Sequence, residues 1–159
     1  MTDEEELAIR VKAMVRIVGK ELEYLQQTDA RLFSEAFTTE RAALLDRDPG
    51  FSERVVAFVS RFGRLQDTLG DKLIPLYLQL IGEKPKAFVD NLDRMEKLEV
   101  VDNANEWPRM RRLRNQMVHE YINDVNVFVK AINEAHDFIS SMASTAHRLS
   151  NDIFGRIGA

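Results

Sequence analysis

The chain has 159 residues, 45% of them hydrophobic, with a net charge of −4 and no cysteine. That length and apolar content suit a single domain over residues 1–159 with a sizeable core. The acidic balance gives no global field to attract nucleic acid, and the lack of thiols excludes disulfides and thiolate zinc sites while fitting a reducing compartment. The opening Asp3-Glu4-Glu5-Glu6 is not the basic start of a signal peptide. No apolar run nears the roughly 20 residues that a membrane span needs. A soluble, cytoplasmic protein without a membrane partner is expected.

With only seven Gly and four Pro, the runs between breaks are long and read as helices. Leu7, Val11, Met14, Val18, Leu22 and Leu25 advance in steps of three and four, and the acidic start suits the positive end of a helix dipole. Leu32, Phe33, Ala36 and Phe37 extend the pattern to about Asp46, where Asp48-Pro49-Gly50 breaks it. Residues 1–47 thus read as an N-terminal helical hairpin, and 51–155 as a second, motif-bearing bundle of the same domain.

A second stripe runs through Phe51, Val55, Phe58, Phe62, Leu65, Leu69, Ile74, Leu76 and Leu80, with Asp48 or Ser52 as its cap. Pro75 cannot donate to Asp71, so a kink is expected there. Gly82 and Pro85 mark a turn before a shorter helix carrying Phe88, Leu92, Met95 and Leu98. After a loop at residues 100–103, Asn105 is the expected cap of the next helix, with Pro108 in its first turn. The last helix has the most regular stripe, from Val125 through Phe128, Ile132, Ala135, Ile139, Met142, Ala146 and Leu149 to Ile153. Asp124 starts it, and Gly155 and Gly158 end it. The predicted fold is all-α, an up-and-down bundle of five to six helices.

Chemistry concentrates between Arg109 and Tyr121. Arg114 offers a permanent planar charge that suits phosphate oxygens. His119 can take and give a proton near neutral pH. Asn115, one turn earlier, can orient a scissile group or fix the imidazole. At about 100° per residue, Arg114 and His119 stand roughly 140° apart around the helix, whereas Arg114 and Tyr121 fall on nearly one line. A site using both Arg114 and His119 is best completed by a second copy across a two-fold axis. RNA brings its own nucleophile in the 2′-hydroxyl, so a proton carrier and a phosphate clamp suffice for cleavage without a metal. Arg109, Arg111 and Arg112 are the candidate RNA-binding cations, supplying the local charge that overall acidity denies.

The string Arg114-Asn115-x-x-Val118-His119-x-Tyr121 resembles the HEPN domains, specifically the HepT-type toxins that pair with a minimal nucleotidyltransferase. The resemblance spans residues 51–140. It implies a helical homodimer whose R-x4-6-H motifs meet at the interface and cut RNA without metal or cofactor. Arg114 and His119 would be catalytic, with Asn115 as the polar residue that the family favours after the arginine. It further implies a nucleotidyltransferase antitoxin that uses ATP to transfer AMP to Tyr121, two positions past the histidine, and so blocks the nuclease. The alternative is a non-catalytic HEPN subunit that presents substrate or nucleotide to the nucleotidyltransferase; a purely structural oligomerisation domain is a third reading.

Other polar residues have plainer roles. Asp67, Asp71 and Asp90 lack partners at metal-ligand spacing, so no metal site is expected. His136 and His147 are assigned to structure, Trp107 to anchoring its helix, and Arg64 and Gln66 to packing support ahead of a place at the interface or the site.

Overall fold

Thr2 and Glu5 close the first helix with a reciprocal cap. The Thr2 hydroxyl accepts the Glu5 N–H at 3.1 Å, and the Glu5 carboxylate accepts the Thr2 N–H at 3.2 Å. From that cap, in a computed structural model describing residues 1–159, α1 runs Asp3–Leu32. It buries Val11, Val15, Val18, Leu22, Leu25 and Leu32.

The helix predicted to continue to Asp46 stops at Leu32. The chain turns and resumes as a one-turn α2 (Thr39–Ala42), followed by a 3-10 turn over Ala43–Asp46. Arg41 secures the break: its guanidinium donates to the carbonyl of Leu32, left free at the end of α1, and to that of Glu35 in the turn that follows. The apolar spacing still delivers Phe37 to the core, where it stacks on Phe51 with centroids 5.9 Å apart.

Asp48, rather than Ser52, caps α3 (Pro49–Asp67), accepting the Phe51 N–H at 3.1 Å. Pro49 and Gly50 therefore open this helix. A π-helical stretch over Thr68–Leu73 links α3 to α4 (Ile74–Leu80). There the Ile74 N–H bonds the Leu69 carbonyl five residues back. Pro75 lies in the first turn of α4, directly after this stretch, where a widened turn eases the clash between a proline ring and the preceding turn. Gln66, just before this stretch, is fully buried with neither amide atom bonded to a protein group.

The remaining elements are α5 (Phe88–Lys97), α6 (Glu106–Asn123) and α7 (Val125–Ile157). With α3 and α4 taken as one interrupted rod, the chain has six helical rods and no strand, the all-α bundle that its periodicity predicts. Asn105 precedes α6 but its side chain caps nothing; its N–H is instead bonded by Asn103. Asp124 does cap α7, accepting from the N–H groups of Asn126 and Val127. Gly155 stays helical, and only Gly158, at φ 80°, ends α7. The core is one cluster of 37 residues; because it includes the buried stripe of α1, the N-terminal segment and the motif helix share it. No helix is long and apolar enough to cross a membrane.

One tertiary bond gives the fold a defined pH response. The buried Tyr77 hydroxyl donates to Asp152 at 2.5 Å, and Arg156 donates to the same carboxylate at 2.7 Å. Burial, then the bond to Asp152, pushes the Tyr77 phenol up to about 12. The Tyr77 hydroxyl, then Arg156, holds the Asp152 carboxyl below its ordinary value of 3.8. A lowered carboxyl contributes stability that is complete above the unfolded value and lost as pH falls through the folded one. Tyr77→Phe should therefore cost about 1 kcal/mol near neutrality, and the loss should shrink as pH falls below 3.8. Urea unfolding of both proteins at neutral and acid pH measures this difference.

Candidate functional site

The stripe Trp107, Met110, Leu113 and Met117 buries one face of α6 and thereby fixes where its polar residues stand. Arg114 and Tyr121, two turns apart, both line a cleft of about 430 Å³ between α3 and α6. The Arg114 guanidinium meets Asp67 of α3 at 3.2 Å. Its stem crosses α3 at Gly63, where an added Cβ would stand 3.1 Å from the Arg114 Cγ and 3.2 Å from its Nε. A side chain at position 63 would make the Arg114 stem give way by a few tenths of an ångström. Tyr121 is half-buried: its hydroxyl lies 2.7 Å from the Ser52 Oγ, and its ring meets buried Phe128 edge-on at 5.4 Å.

His119 stands outside this cleft. It is exposed, and its ring nitrogens take part in none of the chain's hydrogen bonds or ion pairs; its carbonyl accepts the Asn123 amide at 2.9 Å. Asn115, one turn earlier, is likewise exposed with a free side chain. Around the outer face of α6, between Arg114 and His119, lie two large apolar side chains, Val118 at 60% exposure and Ile122 at 87%. The fold therefore brings Arg114 and Tyr121 together but leaves the imidazole on a separate arc, as about 100° per residue requires.

The three upstream arginines differ in availability. Arg109 makes a two-pronged pair with Glu134, both bonds 2.7 Å; hydrogen bonding in this pair raises the Arg109 pKa and lowers that of Glu134. Arg111 bonds Asp71 at 2.7 Å and lies 3.7 Å above the Phe88 ring. Phe88 in turn covers Gly70, where a Cβ would approach within 2.8 Å. Arg112 is exposed and belongs to none of the ion pairs. Two of the three predicted RNA-binding cations are thus occupied by carboxylates within the chain.

Two residues of the cleft carried weaker signals in the sequence. Asp67 is the partner of Arg114, and Arg64 lines the cleft beside them. Gly63 followed four residues later by Asp67 places a gap and a carboxylate on one face of α3, the pattern that receives a long cation. His136 and Trp107 take the structural places expected of them. His136 stacks on Phe33 at 3.9 Å and lies 2.6 Å from Asp29, and Trp107 is buried to 1% exposure. No three carboxylate or imidazole side chains come together in a group that could hold a metal ion. No protein-family model matches the chain, and no curated protein or solved structure matches it.

Proposed function

We propose that the chain is a metal-independent endoribonuclease of HEPN type, the toxin of a HEPN/nucleotidyltransferase pair, acting as a two-fold dimer. One observation carries this reading. His119 is exposed and unbonded on the outer arc of α6, with Asn115 beside it and apolar Val118 and Ile122 at its edge. An imidazole without an intramolecular partner is available for proton transfer, and the uncovered apolar side chains suit a second copy of the same helix.

In the proposed reaction, His119 of one protomer takes the proton of the RNA 2′-hydroxyl. The oxygen attacks the adjacent phosphorus, and the bond to the 5′-oxygen breaks. Water supplies the proton that completes that leaving oxygen. The products are a 2′,3′-cyclic phosphate and a 5′-hydroxyl. Arg114 stabilises the charge on the phosphoryl oxygens, and Asn115 orients the group being cut. Arg112 supplies approach charge, with Arg109 and Arg111 contributing only if RNA displaces their carboxylates.

Tyr121 is the proposed point of control by the nucleotidyltransferase. Its phenolic oxygen bonds the α-phosphorus of ATP, pyrophosphate leaves, and the phenolic proton is released. The adenylyl group then adds an anion to the cleft that holds Arg114. A second reading, a non-catalytic subunit that presents substrate or nucleotide, is favoured by one feature: the Arg114 charge is already engaged by Asp67. Incubation of the purified protein with RNA in excess chelator separates the two. The ribonuclease reading expects cleavage with 2′,3′-cyclic phosphate ends, and an absence of cleavage favours the binding subunit.

A further inference from the structure

An arginine side chain has many rotamers to lose, so a guanidinium that acts on a phosphate gains from being held before the phosphate arrives. Arg114 is held twice. Its stem lies against α3 at Gly63, close enough that an added Cβ would displace it. One turn further along α3, Asp67 meets the head at two points, Oδ2 to Nη2 at 3.2 Å and Oδ1 to Nη1 at 3.4 Å. This pair is unlike the others in the chain. Arg94, Arg109, Arg111, Arg148 and Arg156 each meet a carboxylate at 2.7 Å, whereas Arg114 and Asp67 approach only to 3.2 Å, with their side chains 40% and 34% exposed. A carboxylate at that distance, within reach of solvent, sets the direction of the guanidinium more than it satisfies its donors. The one hydrogen bond that Arg114 makes from its side chain goes to Asp67, so most of its donors are left for phosphate oxygens.

We propose that Asp67 is the positioning residue of Arg114. Gly63 gives the stem its seat on α3, and Asp67 fixes the plane of the head before RNA binds. The carboxylate touches neither the phosphate nor the proton in transit, and its effect on cleavage passes through the guanidinium. The inference rests on the ribonuclease reading for its consequence in rate, whereas the restraint on Arg114 is a property of the fold alone. A positioning carboxylate also differs in sign from a lock. If Asp67 merely withheld Arg114 from RNA, removing its charge would speed the reaction; as a positioning residue, its removal slows it.

The test takes the full chain as Asp67→Asn, which keeps the shape of the side chain and removes its charge. On a defined RNA, kcat is expected to fall about fivefold, the factor that a partly exposed pair can supply. KM should stay level or fall, because an anion has left the approach of a polyanion. In an Arg114→Ala background the same substitution should change kcat by less than about twofold, since no guanidinium remains to be placed. NMR of the Arg114 guanidinium reads the restraint without RNA: rotation about its Cζ–Nε bond should be several-fold faster in Asp67→Asn than in the parent. An unchanged or raised kcat in Asp67→Asn, an equal fall in the Arg114→Ala background, or unchanged rotation of the guanidinium would each overturn the proposal. A parent that cuts no RNA is a different failure: it removes the ribonuclease reading, while the rotation rate still decides whether Asp67 positions Arg114.

Discussion

Replacing His119 with alanine is expected to lower the rate of RNA cleavage by about 10²–10⁴-fold, the usual contribution of a positioned proton carrier. The same change should leave stability within about 0.5 kcal/mol, because an exposed side chain without partners holds nothing together. Arg114→Ala should lower cleavage by about 10²–10³-fold through loss of charge stabilisation. That variant also frees Asp67, but both side chains are partly exposed, and such a pair contributes no more than about 1 kcal/mol. Initial rates on a defined RNA, measured beside the thermal midpoint of each variant, check both halves of this expectation. A rapid His119→Ala enzyme would remove the imidazole from the mechanism.

The largest expected effect on stability lies at the start of the same helix. Trp107 is among the largest fully buried side chains, and it secures the first turn of α6 in the shared core. Truncation to alanine removes its apolar burial and leaves a cavity, which together cost about 3–5 kcal/mol. Against a typical total of about 5–15 kcal/mol, that is a large fraction. Urea unfolding should show the midpoint moving sharply down with little change in slope. Cleavage should fall with the folded fraction, unlike the loss in His119→Ala, which occurs in a fully folded protein. A loss of under about 1 kcal/mol would mean that α6 is held elsewhere.

Features that depend on one helix at a time were legible in the sequence. The stripe of α7 and its Asp124 cap follow from spacing and a short polar residue in place. The alignment of Arg114 with Tyr121, and the separation of His119 from both, follows from helical rotation alone. Features that depend on a second element were not. The break after Leu32 is secured by Arg41 reaching back to the carbonyls of Leu32 and Glu35. Arg109 finds Glu134 on α7 and Arg111 finds Asp71 in the π-helical stretch; neither pairing has a local spacing signal. Arg64 and Gln66, two residues apart and both assigned to packing, take opposite positions. One is exposed on the cleft and the other is enclosed in the core. Their rotation was readable, but the packing of α6 across Gly63 was needed to show which face opens on a cleft.

The central claim is that Arg114 of one protomer and His119 of another serve a single site. It is tested most directly by combining two inactive variants, Arg114→Ala and His119→Ala, through co-expression with different tags and purification of the mixed assembly. Random pairing makes half the dimers mixed, each with one intact site of two, so an unfractionated preparation should recover about a quarter of wild-type activity. The purified mixed dimer should reach about half. A mixed dimer as inactive as either variant alone would contradict the account, because it would mean that no site draws its arginine and its histidine from different chains.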